Sequence, residues 1–369
     1  MSVHDVIVVG AGIVGLSAAR TLAGRGRRVL VVERRRVGAE ASSAAGGILS
    51  PQAETDPDSP LLPLALKARD RHQELAPALE EETGLHVDHV SRGLLHVAFD
   101  AAAEDELLSR MERQRRRGLA VEMLTAGELK QAEPNLNAAA RMALFFAGDH
   151  RVDNVRLTRA LAASAVARGA SILCGRPVTG LRLEGGRLAG VVAGNESFQA
   201  PVVVNAMGAW AGRLAGDPLP PPVEPVRGQI VAFEVAPVLL RHVVYSHRGY
   251  LVPRSDGRVL AGSTSERCGF EKSVTAAGLH AVLAIALEIA PVLADVRVAD
   301  AWAGLRPGTP DDLPVVGPGA LPGLYHAAGL YRNGILLGPL VGEIVAGLIL
   351  GEPPPVDLAP FTVTRFGAR

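Results

Sequence analysis

The run Val6-Ile7-Val8-Val9-Gly10-Ala11-Gly12-Ile13-Val14-Gly15 decides the fold. Its four apolar, β-branched residues read as a buried strand, and Gly10, Gly12 and Gly15 form a G-x-G-x-x-G turn directly after it. Apolar residues then recur at helical spacing at Val14, Leu16, Ala18 and Leu22, and residues 29–32 make a second buried run that ends on Glu33. Strand, glycine turn, helix and strand within about 30 residues predict one βαβ unit with a parallel strand pair. Gly10 makes the tight turn, Gly12 lets backbone approach a pyrophosphate, and Gly15 lets the helix pack on the strand. The helix start at Ile13 and Val14 points free N–H groups at phosphates. Glu33, 18 residues after Gly15, is placed to accept hydrogen bonds from adenosine ribose hydroxyls. The unit reads as a dinucleotide site.

Outward from it, βαβ-like pieces alternate with β-rich ones. Asp153 can cap a helix reaching about residue 168. Residues 171–173, 178–183 and 188–192 read as strands, with Gly185-Gly186 as a hairpin turn, and 202–205 as another buried strand. Residues 87–99 alternate and break at Arg92-Gly93; 104–117 make a charged helix whose arginines form a solvated face. From 223 to 265 short strands are expected, with Ser255-Asp256-Gly257 turning a hairpin. The expected class is α/β: a Rossmann-like nucleotide domain and a second, mainly antiparallel β-sheet substrate domain, with the site between them. The expected division gives 1–85, 145–222 and 300–369 to the first and 86–144 and 223–299 to the second.

Composition narrows the function. The 369 residues hold 38 Lys+Arg against 38 Asp+Glu, so net charge is zero and no broad electrostatic case exists for nucleic acid or an anionic membrane. Cys174 and Cys268 are the only cysteines, too few for a disulfide framework or a four-thiolate metal site, and they suit a reducing compartment. The start of the chain, Met1 to Asp5, carries no basic, apolar and small-residue signal pattern, so a cytoplasmic location is expected. Residues 334–351 are apolar apart from Glu343, but Pro339 and several glycines favour a buried helix over an integral membrane segment. His86, His89 and His96 lack carboxylates at ligand spacing, and no metal is expected. No G-x-S-x-G nucleophile motif is present.

The glycine fingerprint alone does not separate FAD from NAD. Arg34, Arg35 and Arg36 could suggest a clamp for a 2′-phosphate, but they read better as a solvated loop. The small-residue run Ser42-Ser43-Ala44-Ala45-Gly46-Gly47-Ile48 lets backbone lie against a flat ligand. Val203-Val204-Asn205-Ala206-Met207-Gly208-Ala209-Trp210 is a strand-to-turn passage that returns to the cofactor, and Gly329 to Leu337 is a loop leading into a helix. These features favour a flavin. With Tyr250-Leu251-Val252-Pro253, Trp302-Ala303-Gly304-Leu305-Arg306-Pro307-Gly308-Thr309 and Arg332-Asn333-Gly334-Ile335-Leu336, they make the chain resemble, along essentially its whole length, the glycine oxidase branch of the D-amino-acid-oxidase-like flavoproteins, the ThiO branch of thiamine biosynthesis. The resemblance implies a Rossmann-like domain of the DAO type binding non-covalent FAD extended along the first βαβ unit. It implies contacts from Arg34, Ala41, Ser42, Gly46, Gly47 and Ile48, from Val178 on the adenine side, and from Gly208. It also brings Leu330, Tyr331, Arg332, Asn333, Gly334, Ile335 and Leu336 to the isoalloxazine.

Flavin oxidation of an amine needs the Cα–H aimed at the cofactor and the carboxylate held against rotation. Arg306 is the candidate clamp, because a guanidinium offers paired donors and stays charged when buried; on its residues alone a salt bridge to Asp311 or Asp312 stays open. Tyr250 points opposite to Leu251, so its hydroxyl can face the cavity or be satisfied in the core. By resemblance Tyr250 donates to the substrate carboxylate, Arg332 lines the amine side, and the helix from Gly334 sets its positive end beside the flavin. Tyr245 is a weaker pocket candidate. Where the family commonly has a methionine roof, Thr264-Ser265 offers Ser265, which implies a range beyond glycine: sarcosine, N-ethylglycine or small D-amino acids. Cys268 does not occupy the position that covalently flavinylated relatives use. The resemblance further implies oxidative deamination to the imino acid, oxygen as acceptor with release of hydrogen peroxide, supply of dehydroglycine to thiazole synthesis, and a homotetramer. Two alternatives stay open: a dehydrogenase, of the hydrogen-cyanide-synthase or D-amino-acid kind, that hands electrons to a partner, and a non-catalytic FAD module.

Overall fold

The computed structural model describes residues 4–235 and 239–367. The opening run folds as β1 (Val6–Val9), α1 (Ile13–Gly24) and β2 (Val29–Val32), with β1 and β2 parallel and Val6 opposite Val29. Both strands are buried along their whole length, as a sheet covered on both faces requires. They lie inside a six-stranded sheet of order β18 (Val315–Pro318), β19 (Leu324–Ala328), β12 (Val202–Asn205), β1, β2, β8 (Ser171–Leu173). Only the β18–β19 hairpin in this sheet is antiparallel.

The two faces of this sheet are covered differently. On one, Val6, Val8, Val29 and Val31 pack under α1, α4 (Leu61–Thr83), α7 (Asn154–Ala167) and α9 (Gly334–Ile349). On the other, Ile7, Val9, Leu30 and Val32 meet a three-stranded antiparallel sheet of β9 (Gly180–Glu184), β10 (Arg187–Ala193) and β11 (Glu196–Gln199). Asp153 caps α7, accepting from the Val155 and Arg156 N–H groups at 2.9 Å. The stretch Tyr331–Ile349 is long and apolar enough to cross a membrane, yet most of it is buried in the protein. A Cβ on Gly338 would sit 2.6 Å from Ile13 and one on Gly342 2.6 Å from Ser17, so α9 crosses α1 at a separation only glycine allows. Its apolar character is that of a core helix, with Glu343 paired to Arg71 of α4 at 2.8 Å.

The second sheet has eight strands in the order β17 (Val298–Gly308), β13 (Glu224–Glu234), β16 (Arg258–Gly262), β15 (Tyr250–Pro253), β14 (Val243–Tyr245), β4 (Leu94–Ala98), β6 (Met142–Phe146), β5 (Glu122–Thr125). It is antiparallel except at β14–β4. One face packs on α5 (Ala101–Arg116) through Leu107 and Met111. The other packs on α8 (Ala276–Ile289) through Val282, Ile285, Ala286 and Ile289 and on α6 (Ala126–Ala132) through Leu129. Two expectations shift. Residues 223–265 include one long strand of 11 residues, β13, because Pro225 falls near its start, where a missing N–H is tolerated. The boundary expected at residue 300 falls inside β17, which pairs with β13 as far as Gly308.

Between the sheets run the small-residue elements: α2 (Ala41–Ala44), β3 (Ile48–Leu49) paired to β7 (His150–Arg151), and α3 (Pro51–Glu54).

Candidate active site

Two adjoining cavities of about 350 and 140 Å³ share Gly12, Ala41, Ser42, Ala206, Gly208 and Leu305, so they form one elongated cleft along the first βαβ unit. The larger end is lined by Gly10, Gly12, Glu33, Arg34, Val178 and Gly208. Gly10 sits at φ +107°, and a Cβ there would come 2.4 Å from the Ala206 carbonyl oxygen. Helix α1 begins at this wall with no side-chain cap, and the Ile13 N–H donates to Ser42 Oγ at 3.0 Å. Glu33 lines this end and also has backbone partners of its own. It accepts from the Ala11 N–H at 2.9 Å and the Arg35 N–H at 2.8 Å, bracing the glycine turn against the next loop. Arg34 is not simply solvated: its guanidinium lies 3.4 Å over the Trp210 ring and pairs with Glu40 at 2.5 Å.

The narrower end is lined by Ile13, Val14, Ala44, Ala45, Gly46, Tyr250, Arg306, Leu330, Tyr331, Arg332, Gly334 and Ile335, with the uncapped start of α9 at its edge. An apolar slot between two helix starts, floored by residues without large side chains, fits FAD: phosphates at the first helix start, a flat ring system at the second. Several expected contacts lie elsewhere. Gly15 is away from the cleft because its position is a packing one, where a Cβ would meet the Gly10 carbonyl oxygen at 2.1 Å. Leu336 turns into the helical core, and Asn333 is outside the lining. Gly47 and Ile48 line a third, smaller cavity instead.

That third cavity, about 40 Å³, opens where the cleft meets the large sheet and is walled by Glu54, Tyr245, Tyr250, Ser263, Arg306 and Arg332 among others. Its volume is room for about three waters, a space for a very small molecule. The alternation of β17 puts Trp302, Gly304 and Arg306 on one face. Trp302 donates its indole N–H to the Ala44 carbonyl at 3.0 Å, tying this strand to the small-residue loop. Arg306 donates to Ser263 Oγ at 2.6 Å and to the Thr264 carbonyl at 3.1 Å. It makes no ion pair among the described residues, with Asp311 or Asp312 or any other carboxylate; Asp311 is taken by Arg365 at 2.7 Å. A Cβ on Gly228 would lie 2.3 Å from both terminal guanidinium nitrogens, so that glycine is what lets the group lie flat on the sheet. Tyr250 is buried against Gly46 and Gly262 with its hydroxyl beside the cavity.

Glu54 went unnoticed in the sequence, where nothing marks it. Its Oε1 accepts from Arg332 at 3.0 Å and from the Tyr245 hydroxyl. The Glu54 carboxylate holds the Arg332 guanidinium well above its ordinary range, and burial with the same carboxylate pushes the Tyr245 hydroxyl up. Ser265 does not roof the cavity. It is exposed, 3.4 Å from the Tyr331 hydroxyl, and Ser263 lines the wall. Cys268 is exposed and outside the cleft lining. The three histidines do not converge: His86 pairs with Glu80, His89 meets His150, and His96 packs on Tyr245.

A family model described as FAD dependent oxidoreductase, DAO, matches residues 5–348. The glycine oxidase of Geobacillus kaustophilus is 38% identical over 98% of this chain and 97% of its own. Its crystal structure superposes with a TM-score of 0.95 at 37% identity, covering 99% of each chain. The bifunctional protein ThiO/ThiG of Synechocystis is 34% identical over 98% of this chain, which matches 54% of that longer protein.

Proposed function

Because this chain belongs to the DAO family of FAD-dependent oxidoreductases, we propose that it oxidises glycine or another short amino acid to the imino acid, with oxygen reduced to hydrogen peroxide. The observation that carries this reading is the guanidinium of Arg306, without a carboxylate partner among the described residues, facing a cavity of about 40 Å³ at the end of the FAD cleft. FAD supplies the two-electron acceptor for the hydride that leaves the α-carbon. The chain's own residues bind and orient. Arg306 takes the carboxylate through paired N–H donors, and the Tyr250 hydroxyl adds a third. Arg332, neutralised by Glu54, borders the nitrogen. The apolar lining of Ile13, Val14, Leu330 and Ile335 keeps water from the reacting carbon. No side chain is needed as a strong base once the amine is neutral, because the α-hydrogen departs with its electron pair.

The small cavity supports glycine, sarcosine and similar short amines, and its Ser263 wall is where added bulk would be met. Similarity to a ThiO/ThiG protein supports a role in supplying the imino product to thiazole synthesis. Assembly as a homotetramer and a cytoplasmic setting belong to the same reading.

The test is peroxide release across glycine, sarcosine, N-ethylglycine, D-alanine and D-proline, beside bleaching of the yellow enzyme without oxygen. We expect bleaching and stoichiometric peroxide with at least one of the five, glycine or sarcosine leading. Bleaching without peroxide points to a dehydrogenase that uses another acceptor, and no bleaching with any of them defeats the amine-oxidising reading.

A further inference from the structure

The small cavity is faced by two guanidinium groups, Arg306 and Arg332, and a carboxylate could be gripped by either. What separates them is their company. Arg306 has neutral partners: Ser263 Oγ and the carbonyls of Thr264 and Arg227. The nearby carboxylate of Glu266 is taken by Arg227, Gln229 and Thr264. Arg332 instead is paired with Glu54, whose side chain is only 12% exposed. Glu54 is firmly placed: in the same short helix, Gln52 bonds Gln114 and the Ala120 carbonyl, and the Ala53 N–H donates to Asp149.

We propose, building on the amino-acid-oxidising reading above, that Glu54 is a positioning residue that sets the polarity of the substrate cavity. By neutralising Arg332 it leaves Arg306, among the described residues, as the one uncompensated cation at the wall. An amino acid then binds with its carboxylate on Arg306 and its nitrogen toward the Glu54–Arg332 side. The reverse orientation leaves Arg306 without an anion and puts the substrate carboxylate beside the carboxylate of Glu54. Inside a small cavity screened little by water, that like-charge contact disfavours the reverse orientation. Orientation matters for catalysis because the carboxylate anchor decides which way the α-hydrogen faces.

The inference is tested on the FAD-loaded enzyme by two measurements whose changes should have opposite signs. Acetate is a carboxylate without an amine, and its Kd can be read by calorimetry; glycine is read by kcat and KM separately. For Glu54→Gln we expect acetate to bind at least about fivefold tighter, because a second cation is released, while kcat for glycine falls by about tenfold or more with KM falling alongside it, because glycine bound the wrong way round occupies the site without reacting. Loss of structure would weaken both. Glu54→Asp keeps the charge and should hold acetate within about twofold of wild type. If Glu54→Gln does not fold, the double variant Glu54→Gln with Arg332→Gln removes both charges of the pair together. It should bind acetate within about twofold of wild type, since the clamp on Arg306 is untouched. Unchanged or weaker acetate binding in Glu54→Gln, or a tenfold loss in the double variant, overturns the inference. Those outcomes are distinct from failure of the functional reading, which shows as wild-type enzyme inert toward every amino acid offered.

Discussion

The two ends of the cleft are built on opposite plans. At the nucleotide end the turn, the helix start and the bracing acid come from 24 consecutive residues, 10 to 33. At the amino-acid end Glu54, Tyr250, Ser263, Arg306 and Arg332 come from separate segments, and the Glu54–Arg332 pair joins residues 278 positions apart. A local unit fixes its geometry through the backbone. A distributed one depends on two sheets and a small-residue loop holding one another in place. Damage at the first end should therefore be all or none for the cofactor, whereas damage at the second should be graded and leave the cofactor bound.

The largest effect is expected from Gly10→Ala. The site needs φ near +107°, and the new Cβ would meet the Ala206 carbonyl oxygen at 2.4 Å. Backbone strain alone costs about 1–3 kcal/mol, and a contact with the backbone just past β12 cannot be relieved by a side-chain rotation. The variant should purify colourless or misfolded, read from the ratio of flavin to protein absorbance. Normal FAD content would mean that the nucleotide end tolerates local change and that the contrast between the ends is false.

Gly228→Ala should act on the other end alone. Its Cβ would sit 2.3 Å from the Arg306 guanidinium, a flexible group that can shift. The expected result is a full complement of FAD with kcat/KM lowered by about 100-fold, the size associated with roughly 1 Å of misplacement. Parallel loss of FAD would show that the two ends are coupled through β13 and β17.

That contrast also explains what could be read in the sequence. The βαβ unit was legible because strand, glycines, helix and acid follow one another, and their spacing is their geometry. Arg306 and Tyr250 were legible only through the company of longer motifs, since a strand arginine or tyrosine alone has several uses. Glu54 was hidden because Pro51-Gln52-Ala53-Glu54 is an ordinary helix start, and its partner lies far along the chain. Gly228 was hidden in a strand, where a glycine carries no sign of the side chain that will lie on it. The misplacement of the cavity wall by two residues, Ser265 for Ser263, reflects a loop after β16 whose path no periodicity describes. Of the three-stranded cover over the nucleotide sheet, β9 and β10 were visible as strands, but β11 was not, nor which face they would shield.

The smallest effect sharpens the comparison by pH. Beneath the amino-acid end, burial pushes His72 and His150 down to about 4 and lowers His89 as well. His72 Nε2 lies 3.1 Å from the carbonyls of Ile335 and Leu336 in the first turn of α9, and His150 pairs with Leu49 across β3–β7. These rings stay neutral in the fold while unfolded histidines take up a proton below about 6.5. Their contribution is therefore whole above that pH and is lost as pH falls from 6.5 toward 4, at about 1.4 kcal/mol per pH unit for each proton. Asp149 opposes them. Burial raises its carboxyl to about 7, so its contribution is present below the ordinary carboxylate range and is lost as pH rises through about 7. Burial also takes His96 to about 3 and His326 to about 4 and raises the Asp217 carboxyl, so four strongly lowered histidines outweigh two carboxyls, and the net slope between pH 5 and 6 should be loss of stability with acid. His72→Gln should melt lower than wild type at pH 7 and lose stability less steeply, by about one proton. Hydrogen exchange should find β3, β7 and the start of α9 exposed by acid before β1 and β2. Equal protection at both ends would mean that the distributed site is as rigid as the local one.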